Sequence, residues 1–295
     1  MENLDKLEKA GRIAGEALQF GKGLIKENTS LLEITKKVED KITELGGKCA
    51  FPVQLSLNEV AAHYNALIED KIIIKANDVV KLDVGVHVDG FIGDNALTVS
   101  LNEDYNDLVK ASEKALEEAL KIVRIGTKLR EIGGVIESEI TNLGYKPVKN
   151  LTGHSIEEYR EHAGLAVPNF DNGDNWELKE NDVIAIEPFA TDGVGFIEEK
   201  SKSEIMRAVE DRNVRNPMSR KVLGYILENY NVLPFAKRWL LKDFKQFEVN
   251  FSINDLMREK IVEEYKQLVE KSKAVVSQAE HTIVVLDKPI VITKI

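Results

Sequence analysis

Residues 84–94 read VGVHVDGFIGD, and Asp89-Gly90 at their centre is a two-residue hairpin signal between β-branched runs. With Asp89 and Gly90 as the turn, Val88 opposes Phe91, Gly85 opposes Asp94 and Asp83 opposes Ala96. Side chains alternate along a strand, so Asp83, Gly85, Asp94 and Ala96 share one face. Leu82, Val84, Val86, Val88, Phe91 and Leu97 share the other, which is the core side. Asp83 and Asp94 become diagonal neighbours, roughly 7–8 Å apart at Cα. Two carboxylates held that close on a half-buried sheet need a proton, a basic partner or a cation between them. The face offers no Lys or Arg beside them, and a divalent metal pair is the simplest resolution. A solvated polar face with two unrelated aspartates is the other reading, and a one-residue bulge would break the parity.

Around this hairpin the chain reads as mixed helix and strand. Leu4, Leu7, Ile13, Ala14 and Leu18 recur at helical spacing in the first 46 residues, and Leu32, Ile34, Val38, Ile42 and Leu45 mark a second helix. β-like runs follow at FPVQLSL, KIII, VVKLDVGVHV and FIGDNALTVS. Helical stretches occupy about 106–124 and 128–143, and β-like runs return at GLAVP, DVIAIEPF and VVSQAEHTIVVL. This order is not strict β-α alternation, so it predicts an α+β fold: an antiparallel sheet with helices on one face. Residues 200–270 differ, with one helical stripe of Met218, Val222, Tyr225, Ile226 and Tyr230 and another of Ile253, Leu256, Met257 and Ile261. They read as a small helical, winged-helix-like subdomain inserted into a main body of 1–199 and 271–295.

The chain has 295 residues, and 40 Lys/Arg against 50 Asp/Glu leave a net charge of −10. That balance disfavours a nonspecific grip on nucleic acid by the chain as a whole. A single cysteine, Cys49, excludes an internal disulfide framework and a cysteine-based zinc site; it reads as a small packed side chain. The opening MENLDKLEKAGRIAG has no apolar signal core, and no stretch approaches the ~18 apolar residues of a membrane span. The expectation is a soluble, cytoplasmic protein without membrane contact.

Further acids and histidines stand in places that ask for a partner. His154 follows Gly153 in LTGHS, and His162 lies eight residues on. Each reads either as a ligand or as a surface histidine. Glu187 ends the apolar run DVIAIEP and Glu280 sits within SQAEHTIVVL. A bare carboxylate is costly to bury, so each needs either a cation or a basic neighbour. Gln278, Glu280 and Thr282 share a strand face. His281 points the opposite way and reads as structural, while His87 is a sheet residue without an assigned role.

Taken together, Asp83 and Asp94, the GH of Gly153-His154, the EP of Glu187-Pro188 and the late QAEHT around Glu280 resemble the pita-bread metallopeptidases of family M24. AFPVQLSLNEVAAHYNA, near His63, and GHSIEEYREHAG are similar to methionine aminopeptidases. The 93-residue gap from Glu187 to Glu280, with its helical insert, resembles the type 2 enzymes in their short archaeal form. The resemblance covers nearly the whole chain.

It implies a two-lobed, pseudo-twofold pita-bread fold and removal of the initiator methionine from nascent polypeptides, with a small second residue preferred. It places metal ligands at Asp83, Asp94, His154, Glu187 and Glu280, with Asp94 and Glu280 as bridges. Two divalent ions (Co, Mn, Fe or Zn) would share and activate a water. His63 and His162 take the substrate-contacting positions, and Glu187 also carries a proton to the leaving amine. Phe51 is a candidate wall of the methionine pocket, and Thr98 a candidate orienter of the ligands beside it. One departure is Glu161, where the family often has an apolar residue; the expectation is that it turns to solvent. A monomer with at most transient contact with the ribosome is expected. A related aminopeptidase of broader or X-Pro specificity, or a metal-free homologue acting as a binding protein, is the alternative.

Overall fold

The computed structural model describes residues 3–295. Helices α1 (Leu4–Leu24) and α2 (Leu31–Glu44) lead into strands β1 (Lys48–Cys49), β2 (Gln54–Leu57), β3 (Val60–Ala62), β4 (Val79–Val88) and β5 (Phe91–Ser100). Helices α3 (Asn106–Ile122) and α4 (Leu129–Asn142) follow, then β6 (Lys146–Pro147), β7 (Thr152–Ser155), β8 (Ala166–Pro168), β9 (Val183–Ile186) and β10 (Phe189–Thr191). The long strands β11 (Ile197–Ala208) and β13 (Val262–Glu270) enclose α5 (Pro217–Tyr230), β12 (Phe235–Ala236) and α6 (Gln246–Arg258). The chain closes with β14 (Val276–Gln278), β15 (Glu280–Val284) and β16 (Ile290–Val291).

Asp89 and Gly90 both take positive φ, 49° and 90°, as a primed two-residue turn requires. The hairpin therefore has the register expected from the turn: Val88 pairs Phe91, Gly85 pairs Asp94 and Asp83 pairs Ala96, without a bulge. This hairpin is the heart of a nine-stranded antiparallel sheet with path β1-β4-β5-β15-β9-β7-β8, extended by β2 beside β4 and β16 beside β15. All four long helices of the body cover one face. Helices α1 and α2 pack on Val80, Leu82, Val84 and Val86. Helices α3 and α4 pack on Ile184, Ile186 and Ile283. These two helix pairs, one per half of the sheet, form the two lobes. The approach of α1 to the sheet is close enough that a Cβ on Gly93 would sit within 3 Å of the Gly11 backbone, so both positions admit only glycine without a shift.

Of two smaller sheets, β14-β10-β6 packs against α3 and α4, and β12-β11-β13-β3 borders the opposite face, lining the cavity there with Ile205, Tyr265 and Leu268. Helices α5 and α6 lie where the two apolar stripes predict them, around Val222, Leu223, Ile226, Val249, Ile253 and Leu256. Asn216 caps α5 by accepting from the Met218 and Ser219 amides. The flanks of that segment are not helical. β11 and β13 pair along their length, Ile197 with Glu270 and Ala208 with Val262. Their partners lie more than fifty residues apart in the chain, which no local periodicity reports. KIII (71–74) is also not a strand: Asp70 accepts from the Ile72 amide and turns the chain, Ile74 is buried, and Ile72 and Ile73 stay exposed. Among the described residues no helix is long and apolar enough to cross a membrane.

Candidate metal centre and substrate cleft

The uncovered sheet face carries the acids in two neighbouring rows. One runs Asp83–Ala96–Glu280 across β4, β5 and β15. The other runs through Gly85, Asp94, Thr282, Ala185 and His154 across five strands; Thr282 Oγ1 accepts from the Asp94 amide and donates to its carbonyl. Glu187 follows β9 and shares the face of Ala185 by alternation. Sheet register thus brings five residues from four separate sequence motifs to one floor. Side-chain ligand atoms of Asp94, His154 and Glu280 lie within 4.8 Å of one another. His154 Nε2 stands 3.7 Å from Asp94 Oδ2 and 3.6 Å from Glu187 Oε1. Gln278 Nε2 reaches both Glu187 Oε2, at 3.4 Å, and Glu280 Oε2, at 3.5 Å. Gln278 shares the Glu280 face by strand parity, so its presence here was readable from sequence although its bond was not.

This floor is acidic and dry. Burial pushes the Asp83 carboxyl up to about 7, against the opposing hydrogen bond from Gln278. Burial first, then the charges of Asp83, Glu187 and Glu161, push Asp94 well above the usual carboxylate range. Glu187 is raised by burial and Asp83, and Glu280 by burial and the charges of Asp94, Glu187 and Asp83. His154 is depressed to about 3, chiefly by burial and secondarily by His162. Asp83 Oδ1, Asp94 Oδ1 and Glu280 Oε1 are buried without a hydrogen-bond donor among the described residues. Lys81 does share the Asp83 face, contrary to the sequence reading that no lysine stands there. Its ammonium is held instead by the carbonyls of Asn58 and Val276, at 2.8 and 3.0 Å, and neutralises none of the four acids. Four carboxylates, one neutral imidazole and three orphaned carboxylate oxygens fit a cation site: positive charge is the missing element.

Above the floor opens a cavity of about 360 Å³ whose lining includes Phe51, His63, Glu161, His162, Tyr265 and the acids already named. The Phe51 ring lies on Gly85, where any Cβ would overlap it. His63 has a left-handed backbone, φ 65°, and its amide donates to Gln54 Oε1 at 2.6 Å. Its ring Nδ1 lies 3.1 Å from the Lys266 carbonyl. A non-glycine residue held in that region near a cluster of acids is strain kept by surrounding bonds. The His162 ring stands edge-on to His154, centroids 4.5 Å apart, and its side chain is 45% exposed. Thr98 lies behind the acids: Oγ1 donates to the Gln278 carbonyl at 2.7 Å and accepts from the Gln278 amide at 2.8 Å. His281 faces the other side, bonded to Thr293 Oγ1, and His87 accepts from the Gly90 amide in the hairpin turn.

One expectation fails here. Glu161 does not turn to solvent: it is 3% exposed and lines the cleft. Tyr265 Oη on β13 donates to its Oε1 at 2.9 Å, and that bond, with the Arg207 guanidinium nearby, holds the carboxylate inside. Tyr265 carries no local signal in the sequence, because its strand pairs with β11, some sixty residues away in the chain.

Residues 5–225 match the model of metallopeptidase family M24. The chain is 41% identical over 293 residues to a methionine aminopeptidase of Methanocaldococcus jannaschii, covering 99% of each chain. It is 44% identical over 286 residues to a methionine aminopeptidase of Thermococcus onnurineus, 97% of each. The crystal structure of methionine aminopeptidase from Thermotoga maritima shares its fold, with a TM-score of 0.72 at 19% identity over 99% of this chain and 96% of that one. The sheet, its acidic floor and these matches define a metallopeptidase, and the chain belongs to family M24. Within that family, relatives 39–44% identical to it over nearly their full length are methionine aminopeptidases.

Proposed function

We propose that this chain is a metal-dependent aminopeptidase that removes the leading methionine from peptides and newly made proteins. The observation that carries it is the single sheet face on which Asp83, Asp94, His154, Glu187 and Glu280 converge, with the one lysine of that face bound to backbone carbonyls and paired with none of the acids. The full-length similarity to methionine aminopeptidases supports the substrate.

Two divalent cations, drawn from Co, Mn, Fe or Zn, fit this donor set and when bound supply a water of lowered pKa and a polarised scissile carbonyl. Asp94 and Glu280 lie between the other candidate ligands and, with Asp83 to one side and His154 and Glu187 to the other, would hold the ions. Gln278 and Thr98 hold the acids in place from behind. His63 and His162, standing above the floor in the cleft, hydrogen-bond the scissile amide and the oxygen that becomes charged as it is attacked. A Glu187 carboxylate oxygen takes up the proton lost by the attacking water and hands it to the leaving amine nitrogen. Phe51 walls the pocket for the methionine side chain, and a small second residue is preferred beside it.

In the same proposal residues 1–199 and 271–295 form the catalytic body and 200–270 an inserted unit that delivers Tyr265 to the cleft rim. The substrate sets the place of action in the cytoplasm, where new chains emerge with transient ribosome contact. A panel of Met-Ala, Met-Gly, Met-Leu, Leu-Ala and Ala-Pro peptides, with chelation and metal add-back, tests the reading. Release of methionine alone, lost on chelation and restored by metal, is expected. Equal release of other residues, or preferential cleavage before proline, would assign a broader or X-Pro peptidase.

A further inference from the structure

Glu161 is a buried carboxylate in the cleft that the proposed metal set leaves unused. Its Oε1 accepts from Tyr265 Oη at 2.9 Å and lies 3.6 Å from His162 Nδ1. The Tyr265 ring stands against both cleft histidines, with centroids 5.4 Å from His63 and 6.3 Å from His162. The Arg207 guanidinium sits 5.6 Å from the Tyr265 ring centroid, beside Glu161 and His162, and pairs with Glu263 at 2.7 Å. The tyrosine is held by this contact, and through it the carboxylate.

We propose that Glu161 is a positioning residue that acts through His162. Held by Tyr265, its Oε1 faces Nδ1 and favours the ring form that carries the proton there. Nε2 is then the nitrogen left for the substrate. The separation of 3.6 Å is longer than a formed hydrogen bond. A shift of a few tenths of an ångström closes it, and such bonds commonly tighten only when substrate is seated. A carboxylate behind an imidazole also stabilises positive charge that develops on the ring when it donates to an anionic oxygen. Tyr265 is part of the same device: it makes Glu161 stay inward and couples the insert's strand to the catalytic loop. The role of His162 in turnover rests on the aminopeptidase reading; the carboxylate–imidazole pairing does not.

Two measurements test the proposal. The first compares Glu161→Ala, Glu161→Gln and Tyr265→Phe with the parent on a Met-Ala peptide, alone and in a His162→Ala background. Glu161→Ala should lower kcat ~10-fold, the scale of an orienting partner, with KM changed less than about two-fold. Glu161→Gln should recover part of the loss, because its amide oxygen still accepts from Nδ1–H. In the His162→Ala background Glu161→Ala should cost nothing more, since the two act as one unit. Losses that multiply, or a raised KM at unchanged kcat, would make Glu161 a wall of the pocket and overturn the proposal. The second reads the ring directly. Nitrogen-15 spectra of the zinc-loaded protein should show His162 carrying its proton on Nδ1 in the parent and moving toward Nε2 in Glu161→Ala. The same ring form in both proteins would equally overturn it. A parent protein that releases no methionine would defeat the functional reading alone, because the ring measurement still stands.

Discussion

Replacing Asp83 by Asn in the metal-free protein should stabilise it, and the gain should depend on pH in a defined way. The carboxyl of Asp83 is raised from 3.8 to about 7, mainly by burial. Folding therefore favours the protonated acid. Between pH 4 and 7 the folded protein binds a proton that the unfolded chain releases, so the parent loses stability as pH rises through that window and stays at the lower level above it. The displacement corresponds to ~4 kcal/mol by 1.36 kcal/mol per pH unit. Asn does not titrate and keeps the shape. The variant should match the parent near pH 4 and exceed it by up to ~4 kcal/mol at pH 8, or on the order of 10 °C in melting temperature. Histidines with depressed values titrate alike in both proteins, whereas Asp94, Glu187 and Glu280, each raised partly by the Asp83 charge, ionise more readily in the variant, so ~4 kcal/mol is the ceiling of the gain. Saturating manganese should reverse the order, because the parent gains a bound cation that the variant holds poorly. Differential scanning fluorimetry of chelator-treated and manganese-loaded samples from pH 4.5 to 8.5 reads all of this. A variant that melts below the metal-free parent at pH 8, or a gain equal at both ends of the range, would refute the account of a charge-starved acidic floor.

Further outcomes follow from the same geometry. His63→Ala and His162→Ala should each lower kcat by ~10²–10³ with metal content, read by elemental analysis, unchanged; loss of metal would make that histidine a ligand. Asp94→Ala should remove metal from the centre and nearly all activity, and full turnover would exclude the bridging role. Gly85→Ala forces a Cβ into the Phe51 ring, so it should cost ~1–3 kcal/mol of overpacking and raise KM for methionyl peptides. Arg238 ties the insert to α2 through Glu39, which also accepts from Trp239 Nε1 at 3.0 Å, in a pair only 8% and 12% exposed. Arg238→Ala should destabilise by ~3–5 kcal/mol, since it strands a buried carboxylate, and denaturant midpoints of the variant check it.

The two aspartates were legible because they depend on the shortest-range physics. A two-residue turn sets the register, and period-2 alternation sets the face; Asp83 and Asp94 needed nothing more. The helices of the insert were visible for the same reason, as stripes at helical spacing. Gln278 was readable by parity on its own strand, but its bonds to Glu187 and Glu280 require β15 to lie between β5 and β9. Lys81 shows the converse error: the face was right, but only the fold shows that two backbone carbonyls claim its ammonium.

Glu161 and Tyr265 mark the boundary most clearly. They stand 104 residues apart, on a loop of the body and a strand of the insert, and nothing local to either predicts the other. Composition, turn chemistry and alternation determined where the strands fold back and which side chains share a face, because those choices are settled within a few bonds of each residue. Which distant strands become neighbours, which acids are left dry, and whether a lone glutamate turns inward were decided by tertiary packing. Those outcomes depend on desolvation and on partners that only the assembled sheet supplies.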